Sequence, residues 1–243
     1  MEFLLALQFL TRVPVTIGQN VEERNLGRAM AYFPAIGLLL GIFLAAAHAI
    51  FSLVFASSAA DLGTIILLTM VTGNMHLDGL MDTADGFFSG KPREAVLEIM
   101  KDSRVGAHGV TAGCLVLLSK LVLLGQIPQE FKGFALVLFP VLGRWAQVYA
   151  AAFYPYVRTG PGKTSFTKYV GKREIVLASA VTLGIIIFLL RFRGVFLAGA
   201  AFAGTVLFGS YVCKRIGGIT GDTLGAMNEW VEVLSLITLQ FLF

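Results

Sequence analysis

Ile175-Val-Leu-Ala-Ser-Ala-Val-Thr-Leu-Gly-Ile-Ile-Ile-Phe-Leu-Leu190 carries no charged side chain, and a second uncharged run, Gly194 to Cys213, follows after Arg191-Phe-Arg193. A helix rises 1.5 Å per residue, so about 20 mostly apolar residues cross a bilayer's hydrocarbon. Read as spans at about 174–191 and 194–213, these runs set the fold class: an all-α, polytopic membrane bundle. Working outward, similar runs occur at about 30–55, 59–76, 105–125, 133–153 and 223–243, which gives about seven spans. The last begins with polar residues. Residues 2–11 are too short to cross, and are expected at the interface or packed against the bundle.

Composition agrees. Of 243 residues, 56% are hydrophobic and 14% charged, where a soluble domain carries about 25% charged residues. Mean hydropathy is +0.79. The runs extend along the whole chain without a repeat or a linker, so residues 1–243 read as one membrane-embedded domain. Met1-Glu2-Phe-Leu-Leu-Ala-Leu-Gln-Phe-Leu10 has no basic start and no small-residue cleavage pattern, so no removable signal peptide is expected. Cys114 and Cys213 lie in apolar runs and suggest neither a disulfide framework nor a zinc site.

The net charge of +4 reflects orientation rather than a nucleic-acid partner. With the N-terminus inside, Arg12, Arg24, Arg28, Lys91, Arg93, Lys101, Arg104, Arg158, Lys163, Lys168, Lys172, Arg173, Lys214 and Arg215 face the cytoplasm. Only Lys132, Arg191 and Arg193 fall opposite, as the positive-inside rule requires. The polar segments 76–104, 154–173 and 214–232 then share the cytoplasmic face.

The chemistry concentrates there. Asp78, Asp82 and Asp85 stand at i, i+4 and i+7, which on a helix places them within an arc of about 60°. Three adjacent carboxylates repel one another unless a cation sits among them, and oxygen donors suit a hard ion such as Mg²⁺, Ca²⁺ or Mn²⁺. A solvated acidic helix end is the plainer reading. It must account for a stretch, Asp78 to Gly90, with three Asp and no Lys or Arg, and for Gly79 and Gly86, which weaken a helix unless something approaches its backbone. Asp222 and Glu229 (i, i+7) form a second acidic set, and the Gly217-Gly218-Ile-Thr220-Gly221 loop before them could offer amides to a phosphate. In Lys101-Asp102-Ser103-Arg104 the two cations are candidates for phosphate, and Asp102 for a metal or for orienting a cation. Lys120 and Arg144 lie inside apolar runs, where a charge marks either a site or an internal ion pair.

The string His76-Leu-Asp-Gly-Leu-Met-Asp-Thr-Ala-Asp-Gly86, with Leu97-Glu-Ile-Met-Lys-Asp-Ser-Arg-Val-Gly106, resembles the signature of cobalamin (5′-phosphate) synthases, also called adenosylcobinamide-GDP ribazoletransferases. Phe9-Leu-Thr-Arg12-Val-Pro14, Tyr32-Phe-Pro34-Ala-Ile-Gly37 and Gly217-Gly-Ile-Thr-Gly-Asp222-Thr-Leu-Gly-Ala226 extend the resemblance over almost the whole chain. Met81 stands where a smaller residue is expected, without consequence for the chemistry.

The resemblance implies a Mg²⁺-dependent enzyme of the bacterial or archaeal inner membrane, working at the cytoplasmic face, with room for contact with other cobalamin-assembly enzymes. It would join adenosylcobinamide-GDP to α-ribazole or α-ribazole 5′-phosphate and release GMP. On this reading Asp78, Asp82, Asp85, Asp222 and Glu229 bind metal, and Asp82 or Asp85 is also the general base. Arg12, His76, Lys101, Asp102, Arg104, Arg144 and Gly221 are the substrate and phosphate candidates. The competing readings are a CDP-alcohol phosphotransferase-like enzyme, whose longer aspartate pattern is not met, and an ion-coupled transporter, which calls for midplane carboxylates in two related halves.

Overall fold

The computed structural model describes residues 1–15, 17, 21–158 and 165–243, so Lys163 lies outside the described residues. Among these no strand forms, and the elements are helices: α1 (Glu2–Leu10), α2 (Glu23–Ala29), α3 (Phe33–Phe51), α4 (Ser57–Thr72), α5 (Met75–Phe87), α6 (Arg93–Ile99), α7 (Ala107–Gln126), α8 (Gln129–Phe153), α9 (Lys172–Leu190), α10 (Gly194–Ile216) and α11 (Gly221–Leu239). Among the described residues four stretches are long and apolar enough to cross a membrane: Glu23–Phe51, Ala107–Gln126, Gln129–Phe153 and Lys172–Ile216. The last comprises α9 and α10, joined through the 3-10 turn Arg191–Arg193.

Two expected spans come out differently. The run at 59–76 breaks at Gly73 (φ 62°) and Asn74 (φ 64°), both left-handed. This turn ends α4 after 16 residues and hands His76 to α5. The run at 223–243 becomes α11, whose buried face includes Asn228, Glu229 and Glu232. Its acidic and amide side chains turn into the bundle, while Trp230 and Ile237 on its other face are exposed. Of the two expectations for the N-terminal segment, packing against the bundle is what α1 does, burying Leu5, Ala6 and Leu10.

Apolar side chains cover the outside, as lipid contact allows: Phe188 is 84% exposed and Leu207 70%. Inside, α8 is the axial helix, with Leu136, Leu138, Phe139 and Leu142 fully enclosed. Helix α3 lies directly on it because Gly41 has no side chain; a Cβ there would stand 2.5 Å from Val137 Cα. Small residues let membrane helices approach this closely.

The basic residues segregate by end. At one end the Arg12 amide donates to Val71 O (2.7 Å), Arg93 Nε to Ile216 O (2.7 Å) and Arg215 Nη2 to Lys91 O (2.8 Å). At the other, Arg193 Nη1 donates to Leu242 O (3.0 Å). There Lys132 is buried, donating to both oxygens of Asp61 (2.6 Å), whose Oδ1 also meets His48 Nε2 at 2.8 Å.

Candidate active site

The site is built on the crossing of α5 and α11. Gly79 and Gly225 face each other: a Cβ on Gly79 would stand 2.7 Å from Asp222 O, and one on Gly225 2.9 Å from His76 O. The approach for which Gly79 makes room is therefore that of α11's own backbone, and Gly86 likewise meets Met100 and Val96. The crossing carries Asp222 to the aspartates of α5.

The loop that brings in a cation is held by one short parallel bridge between Tyr156 and Ile219. Ile219 N donates to Pro155 O (2.8 Å) and Val157 N to Ile219 O (3.0 Å). The next residue, Arg158, thereby reaches the start of α11, where its Nη2 donates to Asp222 Oδ2 (2.5 Å) and to Met100 O (3.3 Å). Sequence reading had placed Arg158 only among the cytoplasmic charges. Nothing in its local spacing gives the 64-residue closure to Asp222.

A cavity of about 740 Å³ opens between these pieces. His76, Asp78, Lys101, Arg158, Gly221 and Asp222 line its polar side. Asp78 is exposed and lines the cavity, whereas Asp82, one turn on, is half-buried and lies outside the lining. Burial, then the charges of Asp222 and Asp78, push the Asp82 carboxyl up to about 7, with Arg158 opposing and Asp85 adding to the rise. Burial also raises the Asp222 carboxyl, and Arg158 pulls the other way. Thr220 caps α11 reciprocally, accepting from Thr223 N (3.2 Å) while its own amide donates to Thr223 Oγ1 (2.8 Å).

Asp85 is engaged elsewhere. Its Oδ2 accepts from Gly106 N (2.7 Å) and its Oδ1 from Gly109 N (2.8 Å). A carboxylate on the first amides of a helix satisfies orphan donors and complements the dipole, so Asp85 anchors α7 to α5. Asp102 holds Arg104 in a two-pronged pair (Oδ2 to Nη2, 2.6 Å); that bond keeps its carboxyl low, at about 2. Arg104 is 88% exposed at its side chain, and neither residue lines the cavity. The guanidinium of Arg12 rests against Gly73, outside the lining. Lys101 does line it, from an exposed pair with Glu98 Oε1 (2.8 Å).

Glu229 and Arg144 belong to a separate, deeper set. Lys120 Nζ donates to Glu229 Oε2 (2.6 Å) and Glu232 Oε2 (2.5 Å). Glu232 Oε1 also accepts from Arg144 and from Asn228 Nδ2 (2.9 Å). Two cations and two carboxylates cancel, which is how a buried cluster avoids the desolvation cost of a lone charge. The i, i+7 spacing put Glu229 with Asp222 as metal ligands; the structure puts it two turns deeper, against Lys120. One contact leads from this cluster to the cavity: Arg144 Nη2 lies 3.4 Å from His76 Nδ1. A guanidinium only donates, so Nδ1 accepts, the proton sits on Nε2, and that atom is buried without a partner.

Among the described residues no three His, Cys, Asp or Glu side chains form a ready metal shell. The donors nonetheless suit a hard ion: Asp78, Asp82 and Asp222 offer oxygen only, and after burial the charges of Asp222 and Asp78 are what lift Asp82. Such an ion would complete its shell with phosphate and water, as magnesium does.

The model of the family "Cobalamin-5-phosphate synthase" matches residues 2–240. A relative from Desulforamulus reducens named adenosylcobinamide-GDP ribazoletransferase is 40% identical over 97% of this chain and 95% of its own length. Relatives of that name from Caldanaerobacter subterraneus subsp. tengcongensis (35%; 98% and 97% covered) and Acetivibrio thermocellus (36%; 99% and 97%) match equally fully. No solved structure matches the chain.

Proposed function

The chain belongs to the cobalamin-5-phosphate synthase family, and we propose that the cavity between α5, α11 and Arg158 is where it performs that family's transfer. The reaction is that of an adenosylcobinamide-GDP ribazoletransferase, the last step of nucleotide-loop assembly in cobalamin synthesis. A ribose hydroxyl of α-ribazole, or of its 5′-phosphate, bonds to the phosphorus carried by the cobinamide. The bond from that phosphorus to the oxygen shared with GMP breaks, and GMP leaves with the electron pair. The hydroxyl proton passes to a carboxylate.

Asp82 is that carboxylate. A base works best when its pKa lies near the operating pH, and Asp82 stands at about 7. Asp85, with an amide on each oxygen, serves as the anchor. Arg158 and Lys101 take the diphosphate. When phosphate enters, Arg158 exchanges Asp222 for it, as a guanidinium's two-pronged geometry favours. Asp78 and Asp222 would then hold Mg²⁺, which supplies charge neutralisation on the phosphates. His76 offers its Nε2–H to a phosphate oxygen. The single observation that carries this reading is that α5, the start of α11, Lys101 and Arg158, far apart in sequence, open on one cavity.

The cavity lies at the end where Arg12, Arg93 and Arg215 gather, which by the positive-inside rule is the cytoplasmic face of an inner membrane. The test is GMP release from adenosylcobinamide-GDP by the purified chain in lipid discs, with Mg²⁺ and after chelation. Release that persists undiminished in EDTA ends the metal assignment and leaves the family assignment intact.

A further inference from the structure

The cavity has a second, chemically different end. Phe9, from α1, stacks against Phe33 (centroids 5.9 Å apart, planes at 18°) and meets Phe166 edge-on (5.2 Å, 88°). These three rings, with Met30 and Met75, make up an apolar part of the same lining. Gln147 of α8, a residue with no part in the reading above, lines the cavity as well. It is 4% exposed and its Nε2 donates to Leu224 O (3.3 Å). Because that carbonyl only accepts, the amide's orientation is set and Oε1 is the free atom. Oε1 is buried and has no partner, although Gln147 lines the cavity. An unpaired buried acceptor costs the full desolvation of that group, and a donor arriving with a ligand removes the cost.

We propose that this end is the acceptor's subsite: the Phe9–Phe33–Phe166 wall receives an apolar bicyclic aromatic base, and Gln147 Oε1 accepts from a hydroxyl of the attached sugar. The proposal rests on the ribazole-transfer reading and adds which lining residues take the acceptor. The wall's side chains offer no hydrogen-bond partner, so it suits a benzimidazole. A guanine or adenine placed there would leave its own ring edge unpaired, the kind of mismatch that gives strong discrimination.

The experiment uses the full chain in lipid discs, wild type beside Phe166→Leu and Gln147→Leu. Each substrate is varied in turn with the other saturating. Both variants are expected to raise the KM for α-ribazole about tenfold or more, the size of a lost base–aromatic contact, and to leave the KM for adenosylcobinamide-GDP unchanged. A raised donor KM with an unchanged acceptor KM would assign this end to the donor's guanine and overturn the proposal. Two unchanged KM values would reduce the rings and Gln147 to core packing. Direct binding to the wild-type chain needs neither turnover nor a folded variant: α-ribazole should bind, and adenosine should not displace it. Displacement by equimolar adenosine overturns the subsite, whereas ribazole binding without any GMP release would indict the reaction and spare the subsite.

Discussion

Asp82 shows at the scale of one side chain what the site trades for its chemistry. Its folded pKa of about 7 lies above the unfolded value of about 3.9. The folded state therefore binds the extra proton, and stability is lost as pH rises from about 4 to 7. Asp82→Asn should consequently raise Tm at pH 8 without divalent ion, leave it unchanged at pH 4, and lower kcat on the order of 10²–10⁴-fold. Thermal denaturation at both pH values, together with GMP release, checks this. Asp85→Asn should do the reverse in stability: it loses one of two amide contacts at the α7 start and lowers Tm at neutral pH. That Asp78, Asp82 and Asp85 share one helix was legible from spacing alone, but spacing did not show that Asp85 is taken up by the Gly106 and Gly109 amides. Glu229 was misread because spacing gives the face of a helix and not its depth along the bundle. Arg158 was missed because a bridge between loops places it. Gln147 did carry a signal, a polar residue three positions from Arg144 in an apolar run.

At the scale of elements, the α5–α11 crossing decides whether the site exists. Gly225→Leu, which would drive a side chain into His76's backbone, should separate Asp222 from Asp78 and abolish GMP release while the apolar core persists; helix content by circular dichroism distinguishes this from unfolding. The Lys120–Glu229–Glu232–Arg144 cluster secures the same crossing from below. Lys120→Met leaves buried carboxylates uncompensated and should destabilise by roughly 3–5 kcal/mol, read as a lowered denaturation midpoint. Helix existence was clear from the runs of apolar residues, and their interruption at Gly73-Asn74 was not. Two successive left-handed residues cannot be inferred from hydropathy, and only an Asn after a Gly hinted at them.

At the scale of the molecule, charge is sorted to two ends by different physics. One end keeps its arginines near a cavity lined by Asp78, Lys101, Arg158 and Asp222. The other neutralises Lys132 against Asp61 and His48 inside the bundle. That inner triad escaped sequence reading because Lys132 was counted as a loop residue and Asp61 sits in the apolar run that became α4. The partition of the basic residues, by contrast, was visible in the loops, since orientation is set by counts rather than contacts.

The central claim is that carboxylates of α5 and α11, meeting at one end of the bundle, run a metal-assisted phosphoryl transfer. The most direct measurement is GMP formation from adenosylcobinamide-GDP and α-ribazole by the purified chain, with and without Mg²⁺, for wild type and Asp82→Ala. Mg²⁺-dependent release in the wild type, lost in the variant although it still binds α-ribazole, is the expected result. Wild-type rates in a folded Asp82→Ala chain would contradict it.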